Sequence, residues 1–135
     1  MDLYNREIVH YEISKRPNLD LVLNMLYGAF KKRPIHNQIL LNSDQGFHYK
    51  QEIYHKILLA NNVAPSMSRR GNCYDNCVIE NFFGILKSEI YYNKKYNNIT
   101  EFIKELEKWI YYYNNYRIKE KLNGLSPVQY RLKAA

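Results

Sequence analysis

Two carboxylates stand where residue type and setting could support chemistry. Asp44 follows the run Leu40-Leu41-Asn42-Ser43 and precedes the turn-prone pair Gln45-Gly46. In open α/β sheets, ligands bind at the carboxyl ends of strands, which is where Asp44 would lie. Glu80 falls in the first turns of a helix expected over residues 76–91, between the apolar residues Val78 and Phe82. It therefore points away from the deepest core. Asn76, Phe83 and Lys87, at positions −4, +3 and +7 from it, share its face. Hard oxygen donors of this kind suit magnesium or manganese. A pair of such ions about 3.5–4 Å apart stabilises the attacking and leaving oxygens of a phosphodiester displacement. Each carboxylate also has a plainer reading. An Asp after a strand often hydrogen-bonds its own backbone in a turn, and a Glu near a helix start complements the helix dipole.

The elements that must position these residues follow from periodicity. Residues 4–13 alternate and are β-prone, so a strand is expected there. Asn18 can cap a helix whose apolar face is Val22, Met25, Leu26, Ala29 and Phe30. That helix should end at Lys31-Lys32-Arg33, ahead of Pro34. Residues 37–42 read as a buried strand, 50–60 as a helix ending at Asn61-Asn62, and 63–67 as a short strand weakened by Pro65. Residues 68–76 are polar and basic, the expected composition of a loop. Val78, Phe82, Leu86 and Ile90 form the stripe of the next helix. A longer helix starts at Asn98, with Glu101 in capping-box position and a stripe of Phe102, Leu106, Trp109, Ile110 and Tyr113. A loop at Gly124 and a short helix opened by Ser126-Pro127 close the chain. The order is that of an α/β layer fold.

Composition bounds the rest. A chain of 135 residues holds one compact domain, and 46% hydrophobic content excludes disorder as the dominant state. Residues 1–67 carry a net charge of +2 and residues 68–135 a net +5, so a polyanion partner, nucleic acid above all, is expected for the second half. No apolar run of about 18 residues is present, so no membrane span is expected. The charged N-terminus MDLYNREIVH lacks the apolar stretch of a signal peptide. Cys73 and Cys77 have no second ligand pair at zinc spacing and read as reduced thiols of a cytoplasmic protein. In the aromatic run 111–117, Tyr113 falls on the helix stripe and reads as core, while stacking on bases stays open for its neighbours.

Four blocks in order, DLYNREIVHYEIS, LLNSDQGFHY, PSMSRRGNCYDNCVIENFFGILKSE and YYNNYRIKEKLNGLSPVQY, cover nearly the whole chain. Together they resemble the integrase core of bacterial insertion-sequence transposases. That is the acidic-triad (DDE) family, which shares its fold with ribonuclease H and retroviral integrases. The 35 residues between Asp44 and Glu80 match the family's hallmark separation. The resemblance implies that Asp44 and Glu80 are the second and third catalytic and metal-binding acids, with magnesium or manganese as cofactor in a two-metal site. It implies that Ser68, Arg69, Arg70 and Asn72, in the stretch before the Glu helix, lie next to DNA. On the face of Glu80, Asn76 and Lys87 join this DNA-binding set. Phosphate contacts of this kind position DNA without reading its sequence.

Two departures stand out. Asn42 takes the place of the family's usual His before the Ser-Asp pair, and Asn cannot shuttle a proton near neutral pH. The family's first Asp lies on a strand upstream of the segment at which this sequence begins, and Asp2 matches a non-catalytic Asp. The expected architecture is thus a ribonuclease H-like α/β core lacking its first two strands, with residues 1–95 bearing the two acids and 96–135 forming additional C-terminal helices. The expected function is the C-terminal part of a transposase that binds DNA at transposon ends and target, associates with itself or with full-length transposase, and is inactive alone. Two alternatives stay open: a non-enzymatic DNA-binding or regulatory fragment, and a small nuclease completed by another acid such as Asp75.

Overall fold

A computed structural model describes residues 1–67 and 77–134. The chain divides into two compact units, Val9–Cys77 and Met1–Ile8 with Val78–Ala135.

In the unit 9–77 the elements are α1 (Leu19–Lys32), β1 (Ile39–Ser43), a 3₁₀ turn (Phe47–Lys50), α2 (Glu52–Ala60) and β2 (Val63–Met67). Asn18 caps α1 as its type predicts, its side chain accepting from the Leu21 N–H at 3.1 Å. Lys31 and Lys32 occupy the last turn of α1, where cations meet the negative end of the dipole. Asn62, just past α2, takes φ 59°, the left-handed conformation that Asn tolerates at a helix end. β1 and β2 pair in parallel, Ile39 opposite Val63 through Ser43 opposite Met67. Val22 and Leu26 of α1 and Tyr54, Ile57 and Leu58 of α2 pack with Val63 into the core, and Leu41 lies against it. β1 is not the buried strand its apolar run suggests, because Leu40, which points to the opposite face from Leu41, is 70% exposed. That face is uncovered among the described residues, where the sheet has two strands.

The other unit holds α3 (Cys77–Leu86, in this unit from Val78), a π-helical turn (Lys87–Tyr92), α4 (Ile99–Asn115), a 3₁₀ turn (Glu120–Leu122) and α5 (Pro127–Ala134). Phe82, Trp109 and Tyr113 stack at tilted and edge-on angles with centroids 5.0–5.7 Å apart, and Ile90, Ile110 and Leu122 are buried with them. Asn98 caps α4 through the Glu101 N–H at 2.9 Å, while the Glu101 carboxylate accepts from the Asn97 N–H, one residue further out than a standard capping box. At α5 the box is reciprocal: the Ser126 hydroxyl accepts from the Gln129 N–H, and Gln129 Oε1 accepts from the Ser126 N–H.

Residues 4–13 form no strand. Their backbone is held by side chains instead of a ladder. Asn114 on α4 accepts from the Ile8 N–H and donates to the Ile8 carbonyl, both at 2.9 Å, in place of a neighbouring strand. Asn5, fully buried, donates to Glu7 Oε2 at 2.9 Å and to the Pro127 carbonyl at 3.1 Å. Arg131 of α5 closes on the same Glu7 oxygen at 2.8 Å. A buried amide without partners would cost about 1–3 kcal/mol, so these bonds decide where residues 5–8 lie.

Candidate active site

Asp44 is the residue after β1, at the carboxyl end of the strand, and it is exposed. Its Oδ1 accepts from the Gly46 N–H at 2.7 Å, so the plainer reading of Asp44 as a turn residue is realised. That bond uses one carboxylate oxygen. Gly46 permits the close approach: a Cβ there would sit 2.9 Å from Asp44 Oδ1 and 3.3 Å from the Tyr49 ring. Burial, then the Asp44 charge, pushes the Tyr49 phenol above its ordinary pKa. Asn42 sits on β1 opposite Ser66 and is half-buried.

Glu80 lies in the first turn of α3, exposed, where the positive end of the helix dipole faces its charge. Among the described residues it makes no ion pair. Its face continues through Phe83, 49% exposed, and Gly84 to the exposed Lys87. A Cβ on Gly84 would meet nothing within 4 Å, so this face is clear at its middle. Asp44 belongs to the unit 9–77 and Glu80 to the other unit. Ser68, Arg69, Arg70, Asn72 and Asn76, with Cys73 and Asp75, lie outside the described residues. Asp2 caps a turn by accepting from the Tyr4 N–H at 2.8 Å.

One polar network has no sequence signal. In the π-helical turn, Glu89 accepts from Trp109 Nε1 at 2.8 Å and from Arg117 Nη1 at 2.7 and 2.9 Å. Burial opposes its ionisation, but the indole N–H and the Arg117 guanidinium outweigh burial and hold the carboxyl below its usual range. Tyr113 is buried at 1% exposure, as its stripe position predicts, and burial pushes its phenol up to about 12. Tyr111, Tyr112 and Tyr116 are exposed.

Residues 1–73 match the integrase core domain family, and residues 80–134 match a second pattern of the same description. The chain belongs to the integrase core family. A protein of insertion sequence element IS150 from Escherichia coli (strain K12) is 47% identical over 131 residues, covering 97% of this chain and 46% of its own length. The transposase for insertion sequence element IS904 from Lactococcus lactis is 32% identical over 128 residues, covering 94% of this chain and 51% of its own. This integrase core thus spans about half the length of these relatives and is of the bacterial insertion-sequence transposase kind. In the cryo-EM structure of a simian T-cell lymphotropic virus intasome with a PP2A regulatory subunit, one chain superimposes with a TM-score of 0.63 at 16% identity. The match covers 78% of this chain and 37% of that one. That likeness is one of fold, and it supports the ribonuclease H-like α/β reading. No helix among the described residues is long and apolar enough to cross a membrane.

The donors fit divalent magnesium or manganese in kind. Asp44 and Glu80 are exposed carboxylates, and Asp44 keeps Oδ2 outside the turn bond. In number they fall short, since no group of three or more His, Cys, Asp or Glu ligands forms among the described residues.

Proposed function

We propose that this integrase core contributes two of the three acids of a DNA-cleaving and strand-transferring site, that it holds DNA, and that it does not cleave alone. Residues 1–95 bear the acids and 96–135 are C-terminal helices. The observation that carries the reading is the setting of the two carboxylates within a matched integrase core: Asp44 at the carboxyl end of β1 and Glu80 on a clear helix face, both exposed. Asp44 and Glu80 would ligate magnesium or manganese. When bound, the metal supplies charge stabilisation at the attacking and leaving oxygens of the phosphodiester. Lys87, exposed on the Glu80 face, would hold a backbone phosphate, and the Gly46 N–H would keep Asp44 aimed by occupying Oδ1. The remaining acid, the family's first Asp, would come from a strand upstream of the DLYNR segment. DNA ends and target are the partners, together with a second copy of this chain or a full-length transposase, of which the full-length protein would bring the missing acid.

The test is a cleavage assay on donor-end duplex DNA with magnesium or manganese, run beside a binding assay at several salt concentrations. Salt-dependent binding without cleavage is expected. Robust metal-dependent cleavage that Glu80→Gln abolishes would overturn the inactivity, and no binding at low salt would overturn the DNA reading.

A further inference from the structure

Around Tyr113 gathers a cluster of cations that the carboxylate chemistry does not use. Lys119 Nζ stands 4.7 Å from the centroid of the Tyr113 ring. The Tyr113 hydroxyl donates to the Arg6 carbonyl at 3.2 Å, which brings residue 6 to the same ring. Arg117, just past the end of α4, commits Nη1 to Glu89 and keeps Nη2 and Nε. Of Arg6, Arg117 and Lys119, only Arg117 has a carboxylate partner among the described residues. All three side chains are half-buried. Burial, then the charges of Arg117 and Arg6, holds the Lys119 ammonium below the usual lysine range, with no carboxylate opposing them. Arg6 also takes φ 63°, a left-handed conformation that costs a non-glycine residue free energy. Arg6 and Lys119, which have no carboxylate partner among the described residues, and a strained backbone persist together where a ligand repays them.

An anion would neutralise this cluster, and guanidinium and ammonium groups are the usual phosphate donors. We propose that Arg6, Arg117 and Lys119 form a phosphate-binding subsite that grips a phosphodiester of the nucleic-acid backbone. This rests on the DNA-binding reading and adds contacts beyond Lys87 and residues 68–76.

The test uses the 135-residue chain and its variants Arg6→Gln, Lys119→Gln and Lys119→Arg. Duplex binding is measured against salt, and thermal melting is followed with and without inorganic phosphate. Each Gln variant should bind duplex about fivefold more weakly whatever its sequence, and lower the slope of log affinity against log salt by about one. Lys119→Arg should keep both. Lys119→Gln also gives up the Tyr113 contact, so the subsite is read from the phosphate-induced rise in Tm, expected in wild type and lost in both Gln variants. Unchanged affinity and slope in both Gln variants, with wild-type binding intact, would overturn the subsite and leave the DNA reading standing. Conversely, a chain that binds no DNA, yet is stabilised by phosphate only while Arg6 and Lys119 are present, would keep a phosphate site and sink the DNA reading. If phosphate stabilises neither wild type nor variants and DNA does not bind, both fall.

Discussion

Glu89 shows what a single residue can do without a signal in the sequence. The stripe Val78, Phe82, Leu86 and Ile90 predicts an uninterrupted α-helix, but the helix widens into a π turn at Lys87–Tyr92. Such a turn changes the repeat, and no residue type in KSEIYY announces it. Glu89 then reaches both Trp109 and Arg117. Its folded-state pKa is depressed, so the stability it adds is present above the unfolded value and is lost as pH falls through the folded one. Thermal melts of wild type and Glu89→Gln should therefore converge as pH drops below about 4, the ordinary carboxylate range. At neutral pH Glu89→Gln should cost about 1 kcal/mol, discounted because the group is partly exposed. An equal gap at pH 3 and pH 7 would contradict the assignment. Asp44 was legible to the extent that its turn chemistry is local: an Asx-type bond to Gly46 is encoded in the adjacent residues.

At the scale of elements, what reads out is what local residues decide. Asn18 and Asn98 cap their helices and Ser126 with Gln129 boxes α5, because each bond joins residues three apart. Asn98→Ala should cost about 1 kcal/mol of stability in denaturant melts, and a change within error would mean the cap is made by water instead. The apolar stripes of α1 and α4 also place the core correctly. Leu58, wholly buried among α1, α2 and β2 residues, is where truncation should hurt: Leu58→Ala is expected to lose about 2–5 kcal/mol. The strand expected over 4–13 was not legible as what it is. Alternation is a necessary pattern for a strand, but a strand needs a neighbour, and this segment finds the Asn114 amide in its place. β1 misled in the same way, since an apolar run does not state how many of its faces will be covered.

At the scale of the molecule, the first eight residues pack with the last sixty or so, and the unit 9–77 lies between them in sequence. That closure runs through Asn5, Glu7, Asn114 and Arg131, contacts more than 100 residues apart that no local pattern reveals. Asn114→Ala would leave the Ile8 N–H and carbonyl unpaired, with an expected loss of about 1–3 kcal/mol. Hydrogen exchange should show the Ile8 amide protected in wild type and fast in the variant; equal exchange would disprove the clamp. The proposed role of Asp44 and Glu80 is to ligate a divalent metal. Manganese titration followed by NMR line broadening, with duplex DNA present, tests it most directly. Broadening of residues 43–46 and of residues 79–84 is expected, with loss around Asp44 in Asp44→Asn and around Glu80 in Glu80→Gln. Broadening at only one of the two segments, or at neither, would contradict it.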